Sequence, residues 1–420
     1  MSKKVPFASV PKAPVDPMFI LKARADGDRD PNKVDLGVGI YRHEQGGCYE
    51  FPAIKKAKEI LADKDIGHDY NPTTGISSFV QLARQLMFGN SVDSTQIASI
   101  QTVAGTGANH IAAAFLSAHY RSKGPNQDDL DRPATAFIGT PGWVNYVPLF
   151  AHARLPTQEY RYYDSATRQV DMDSTLHAAQ NAPPGSIFVL QGCCHNPTGA
   201  DMTRQQWSTL ANILHERNHL AFFDVAYHGL GTPTPELGGP EDVDVWPVRH
   251  FASHGIDLLV CQSFSKNMGL YSERVGVLHV VCREADIAVR VKDVLRSLVR
   301  WEFSSAAAYG ARLAETILEN EELRQQWVRE VAAAARRLVS NRQRLHRELT
   351  EVLKTPGEWG HLLQGKGLFS LLGLSGDQVE RLMEDHHIYL PLDGRINVAG
   401  LNEGNVGLVA RAIDEVVRGR

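Results

Sequence analysis

Short apolar runs punctuate the chain between about residues 100 and 280: "TAFIG" (135–139), "SIFVLQG" (186–192), "LAFFDV" (220–225), "DLLVCQ" (257–262) and "VGVLHVV" (275–281). They alternate little between apolar and polar positions, the pattern of strands buried on both faces. Longer stretches with helical spacing lie between several of them, such as "TRQQWSTLANILHER" (203–217). Strand and helix in alternation predict an α/β fold built on a largely parallel sheet. The pattern changes at residues 318–354, "LENEELRQQWVREVAAAARRLVSNRQRLHRELTEVLK", which is charged, Ala-rich and helix-periodic. That predicts one or two long helices. After "TPGEWG" the chain reads as a compact αβ tail. A boundary falls near 320–335, and the Pro- and Gly-rich first 50 residues are expected to pack with the tail. The expected division is an arm at 1–15, a small α+β domain from 16–50 and 330–420, and a large domain at 51–329.

Composition narrows the function classes. The chain has 420 residues, 43% hydrophobic and 22% charged, an ordinary globular balance. The net charge of −4 offers no basic field for a nucleic acid backbone. No stretch approaches the ~20 apolar residues of a membrane span. The start, "MSKKVPFASVPKAPVDP", has no apolar core of a secretory signal, and its prolines oppose an amphipathic presequence. It is read as an extended arm on a cytoplasmic protein. Five cysteines, at 48, 193, 194, 261 and 282, make an odd count without C-x-x-C spacing, which argues against a disulfide framework and a structural zinc site. No metal is expected.

In parallel sheets, ligands sit beyond the carboxyl ends of the strands. Asn196 follows "SIFVL" in "QGCCHNPTG". Asp224 follows "LAFF", with Tyr227 next in "VAYHG". Lys266 follows "DLLVCQ" in "SFSKN", and Arg274 lies eight residues on. Upstream, "AGTGANHIAAAFLSAHY" (104–120) is a Gly-rich turn opening a helix, which offers N–H groups and a positive dipole end to a phosphate. Any one of these residues has an ordinary reading. A lysine after a strand snorkels to solvent by default, and an aspartate there most often caps a turn. Together they suit pyridoxal phosphate. A lysine holds its aldehyde as a Schiff base. A carboxylate keeps the pyridine nitrogen protonated. A phenol and an amide meet the ring hydroxyl, and arginine with the Gly-rich turn holds the phosphate.

Six motifs occur in order: "LGVGIYR" (36–42), "GTGA" (105–108), "HNPTG" (195–199), "FFDVAYHG" (222–229), "QSFSKNMGLYSERVG" (262–276) and "GRINVAGL" (394–401). With them the chain resembles the fold-type I, class I aminotransferases, close to the aspartate aminotransferases, over nearly its whole length. The resemblance implies a mostly parallel seven-stranded sheet between helices, with a smaller α+β domain, in a homodimer with shared active sites. It implies ping-pong transfer of an amino group from an amino acid, aspartate or glutamate favoured, to a 2-oxo acid such as 2-oxoglutarate. Lys266, Asp224 and Tyr227 would be catalytic. Gly105, Thr106, Ser263 and Arg274 would bind the phosphate, with Tyr70 reaching in from the second subunit. Trp143 would stack on the ring, and Asn196 would join Tyr227 at its oxygen. Arg395 would fork onto the substrate α-carboxylate, helped by Asn196, Trp143 and the backbone at Gly39. Arg300 would reach the partner's site and clamp the distal carboxylate.

Departures from the family pattern cluster near the cofactor. Ala104 stands where a serine is usual. Tyr146 and Gln191 stand where histidines often support the pyridine-binding aspartate. Ser305, Ala306 and Ala307 replace Asn-Pro-Pro, and "YNPTTG" (70–75) differs after its tyrosine. They leave open a broad-specificity or aromatic aminotransferase, or a lyase or decarboxylase on the same fold. "HERNH" (215–219) matches the zinc-protease pattern, but Asn218 reads as a helix stop and places His219 off the helix. "EDHHI" (384–388) reads as a helix end.

Overall fold

The computed structural model describes residues 6–121, 133–239 and 242–420. Its centre is a seven-stranded sheet. In chain order the strands are β1 (Ile97–Val103), β2 (Ala136–Thr140), β3 (Thr157–Arg161), β4 (Ile187–Gln191), β5 (Leu220–Val225), β6 (Leu258–Ser263) and β7 (Val275–Val281). Their spatial order is β1-β7-β6-β5-β4-β2-β3, and only β7 runs against its neighbours. The five predicted runs are all strands of this sheet, two of them with the predicted bounds. The two others carry weaker signals. β1, "IASIQTV", is buried but half polar: Ser99 bonds His279 at 2.8 Å, and Gln101 donates to the Ala307 carbonyl at 2.9 Å. β3, "TQEYR", is an edge strand with mostly exposed side chains.

The reversal of β7 positions the site. A turn at 264–274 joins β6 directly to the antiparallel β7. It therefore lies at the carboxyl end of β6, beside the ends of β1, β4 and β5. Register places Gln191 beside Asp224 and Asp224 beside Cys261; Gly276 pairs with Ser263 and Val275 with Val103. At that rim the chain passes from β1 into the helix Ala104–His119 through Ala104, at φ 56°. A Cβ on Gly276 would lie 2.5 Å from the Ala104 backbone, so only glycine allows this approach.

The long helix Glu321–Arg347 is capped by the Asn320 side chain on Leu323 N–H at 3.0 Å. Glu321 and Glu322 occupy its first turn and Arg344, His346 and Arg347 its last, the arrangement that the helix dipole favours. The N-terminal segment pairs with the C-terminal one through parallel strands Val34–Asp35 and Ile388–Tyr389. Asn341 on the long helix is buried and donates to the carbonyls of Val398 and Leu401 at 3.1 and 2.7 Å. Beside it, the buried Arg342 donates to the carbonyls of Lys366, Gly367 and Phe369. No helix among the described residues is long and apolar enough to cross a membrane.

Replacing Asn341 by leucine removes both of these buried hydrogen bonds, while Arg337 still donates to the Leu401 carbonyl at 2.8 Å and the Leu401 N–H to that of Val398 at 3.2 Å. At about 0.5–1.5 kcal/mol net for each lost hydrogen bond, the denaturation midpoint should fall with an unchanged slope in a urea titration. An unaltered midpoint contradicts this anchoring role.

Candidate active site

A cavity of about 480 Å³ opens at the strand ends. Its walls carry nine of the residues singled out in the sequence: Gly105, Thr106, Trp143, Asn196, Asp224, Tyr227, Ser263, Lys266 and Arg274. They arrive from the carboxyl ends of β2, β4, β5 and β6 and the loops that follow them, and from the first turn of the helix Ala104–His119.

Lys266 is half-buried and donates from Nζ to the Gly39 carbonyl at 2.6 Å. Its ammonium stands 4.9 Å from the ring centre of Tyr271 and 5.9 Å from that of Tyr227. Burial, with the positive charges of Arg274 and Arg395, lowers its pKa to about 8. No carboxylate bonds it among the described residues, so nothing there offsets the lowering.

Asp224 is 8% exposed in β5. Tyr146 donates to its Oδ2 at 2.7 Å, while Oδ1 is buried without a partner. Burial raises the carboxyl pKa to about 6, opposed by the Tyr146 hydroxyl and the neighbouring Asn109 amide. The phenol itself is pushed well above its usual range, first by burial and then by Asp224, so it stays a neutral donor. Trp143 meets the Tyr146 ring edge to face at 5.2 Å.

At the other end, Gly105, the second residue of the helix, packs against Ser263, where a Cβ would lie 3.1 Å from the serine Cβ. Ser263 Oγ is 3.2 Å from Ser265 Oγ, and Arg274 reaches Ser265 Oγ at 3.4 Å from the cavity rim. Unpaired helix N–H groups, two hydroxyls and a guanidinium thus converge. Between the two ends, Asn196 Nδ2 lies 3.5 Å from the Tyr227 hydroxyl, and Asn196 Oδ1 accepts from Arg395 at 3.3 Å. Arg395 also donates to the Gly37 carbonyl at 3.1 Å and lies 4.4 Å from the Phe369 ring centre. Its Nε is buried and unpartnered. Burial lowers its pKa.

Tyr70 and Arg300 lie apart from this cavity. Tyr70 is 91% exposed, and Arg300 ends the helix Ala285–Glu302 exposed, bonded to Ser304 Oγ. Gln191 does not bond Asp224 as expected for a supporting residue. It lines the cavity but brackets the backbone of Asn196, accepting from its N–H at 2.8 Å and donating to its carbonyl at 2.9 Å. The amide is too well matched to that peptide to turn toward β5. Sequence reasoning gave no role to Asn109, Ser265, Tyr271, Val38 and Phe19, which also line the cavity. Asn109 had a signal, since it sits one helical turn after Gly105 and donates to its carbonyl at 2.9 Å. In "HERNH", His215 is exposed at a helix end, while His219 is buried against the Ala179 carbonyl at 2.9 Å. The helix before "HHI" ends at Glu384.

In a Tyr146→Phe variant Asp224 loses a donor to its charged form. Its carboxyl should titrate above the present value of about 6, by on the order of one unit, since a hydrogen bond to a charge is worth about 1.5–3 kcal/mol. Carboxyl-labelled NMR of the cofactor-free protein reads this directly, and an unchanged titration contradicts it.

The profile of the family described as aminotransferase class I and II matches residues 31–413. A mitochondrial aspartate aminotransferase of Dictyostelium discoideum is 36% identical over 98% of this chain and 93% of its own. The cytoplasmic aspartate aminotransferase of Saccharomyces cerevisiae is 37% identical over 98% and 97%. The solved aromatic-amino-acid aminotransferase of Burkholderia pseudomallei, covalently bound to pyridoxal phosphate, superimposes with a TM-score of 0.91 at 33% identity, covering 98% of this chain and 100% of that one. With the profile spanning the sheet and both flanking segments, and the relatives aligned from end to end, this chain belongs to the class I and II aminotransferases.

Proposed function

We propose that this protein is a pyridoxal-phosphate-dependent aminotransferase that moves the amino group of aspartate or glutamate to a 2-oxo acid in two alternating half-reactions. One observation carries the reading: an amine with a lowered pKa and a buried carboxylate with one free oxygen face the same cavity, with the half-buried Arg395 beside it. The donor set fits the cofactor. Asp224 Oδ1 is suited to the protonated pyridine nitrogen, and Tyr227 and Asn196 to the ring oxygen. Trp143 offers a ring face. The N–H groups at Gly105 and Thr106, with Ser263 and Arg274, suit the phosphate. When bound, the cofactor supplies an electron sink conjugated to the substrate Cα.

The protein's own groups do the rest. Arg395 binds the substrate α-carboxylate in a fork, with Asn196 fixing its angle and the backbone at Gly39 beside it. That pose directs the Cα proton toward Lys266 Nζ. Lys266 would hold the cofactor at rest, and its free amine would accept the proton leaving Cα and return one to Cα when the half-reaction runs in reverse. Asp224 keeps its charge through the cycle because Tyr146 donates to it without competing for its proton.

Tyr70 and Arg300 act on the neighbouring subunit in a homodimer. Both are exposed, and their segments are tied together where Asn71 donates to the Ala306 carbonyl at 3.4 Å. Trp301 (76% exposed) and the arm residues Phe7 (85%) and Val10 (66%) present apolar surface suited to a partner copy. Arg300 clamps the distal carboxylate there. Residues 16–50 and 330–420 form the small domain, 51–329 the large one and 1–15 the arm. We read the enzyme as cytoplasmic, like its relative from Saccharomyces cerevisiae. A broader range that includes aromatic amino acids is favoured by Phe19 and Val38 at the cavity wall, and by the Ser305–Ala307 segment after Arg300.

Lys266→Ala should lower turnover by on the order of 10⁴-fold, the upper range for loss of a general acid–base group, in a dehydrogenase-coupled aspartate assay. Retained turnover would refute the role of Lys266. Arg300→Leu should lower kcat/KM for aspartate by about 10²-fold or more while leaving phenylalanine within a few-fold, in keeping with a lost charge-paired contact of about 3 kcal/mol. An unchanged aspartate rate sinks the clamp.

A further inference from the structure

We infer that Cys193, Cys194 and Asp244 form a binding site for one thiophilic divalent cation of the zinc class, set behind the wall that carries Asn196 and Tyr227. The two cysteines follow β4, and Asp244 lies fifty residues on, so no sequence spacing announces the group. All three are buried, and one ligand atom from each lies within 4.8 Å of the others. None of them lines the active-site cavity.

The local packing keeps these atoms facing one another. Asp244 Oδ2 accepts the N–H groups of Gly229 and Gly231 at 2.8 and 3.0 Å, which fixes the carboxylate and leaves Oδ1 free to ligate. A Cβ at Gly231 would lie 2.7 Å from Asp244 Oδ1 and 2.9 Å from Cys194 Sγ. Glycine there leaves the carboxylate and the thiol the space between them. A second cavity of about 90 Å³ adjoins, lined by Cys193, Asp201, Met202, Asp244 and Lys366 among others. It gives an entry route and room for a water as fourth ligand.

The geometry is within reach of a metal. Zinc binds sulfur at about 2.3 Å and carboxylate oxygen at about 2.0–2.2 Å, so tetrahedral ligand atoms sit roughly 3.3–3.8 Å apart. From separations under 4.8 Å, closing the site takes side-chain adjustments of about 1 Å. The charge is also manageable. Two thiolates and a carboxylate around a dication leave one negative charge, and Lys366 lines the adjoining cavity. Two sulfur ligands select zinc or cadmium over magnesium or calcium. Binding displaces two thiol protons to solvent and changes no oxidation state. It would also draw the Sγ of Cys194, two residues before Asn196, from its 3.8 Å contact with the Tyr227 carbonyl.

The reduced holoenzyme, freed of metal by a chelator, should bind Cd²⁺ one to one per chain by calorimetry. A thiolate-to-cadmium absorption band should rise in parallel. Cys193→Ser, Cys194→Ser and Asp244→Asn should each weaken binding at least about tenfold, whereas Cys48→Ser, at the exposed cysteine, should not. Zn²⁺ should compete and Mg²⁺ should not. As a measurement that needs no variant, Zn²⁺ should protect Cys193 and Cys194 from alkylation in mass spectra of the wild-type protein. No saturable binding, binding lost with Cys48→Ser, or alkylation unaffected by Zn²⁺ overturns the site. Because each readout is binding or protection, its failure leaves the aminotransferase reading untouched.

Discussion

A carboxylate buried at the end of a sheet strand, with one oxygen unpaired, is the constraint on which the rest of this site depends. Such a group is costly unless a cationic or proton-bearing partner meets it. At Asp224 the Tyr146 hydroxyl satisfies one oxygen and leaves the other facing the cavity. The surroundings are consistent with that arrangement. The phenol is held neutral by burial, Trp143 packs on it, and the pKa of Lys266 across the cavity is itself lowered by burial and two arginines. An acid made weaker and a base made weaker, kept apart in one cavity, is how a fold prepares acid–base chemistry near pH 7.

The antiparallel strand β7 is the backbone counterpart of that electrostatic arrangement. A strand running with its neighbours would need a long crossover after β6. Reversal lets an eleven-residue turn close directly over the strand ends, bringing Lys266 and Arg274 to the same rim. Its close fit against the helix Ala104–His119 requires Gly276 and sets Ala104 at positive φ. The opposite wall comes from both ends of the chain. Gly39 accepts from Lys266, and Arg395 reaches Asn196 and Gly37, so the amine, the amide and the substrate-binding guanidinium are connected by hydrogen bonds. Movement of either terminal segment would therefore be felt at the reacting centre.

The sequence by itself determined the fold class and most of the site. Five buried apolar runs fixed five strands, and residues at or just beyond the ends of three of them, Asn196, Asp224 and Lys266, reached one cavity because carboxyl ends of parallel strands share a rim. Strands β1 and β3 were illegible because one buries polar side chains that find partners only in three dimensions and the other is an exposed edge. Tertiary structure alone decided what the departures do. It turned Gln191 onto the Asn196 peptide and gave Tyr146 to Asp224, a choice between hydrogen-bond partners that depends on distances across strands. It also gathered Cys193, Cys194 and Asp244, since a sequence records spacing along the chain, whereas charge pairing, hydrogen bonding and ligation act through space.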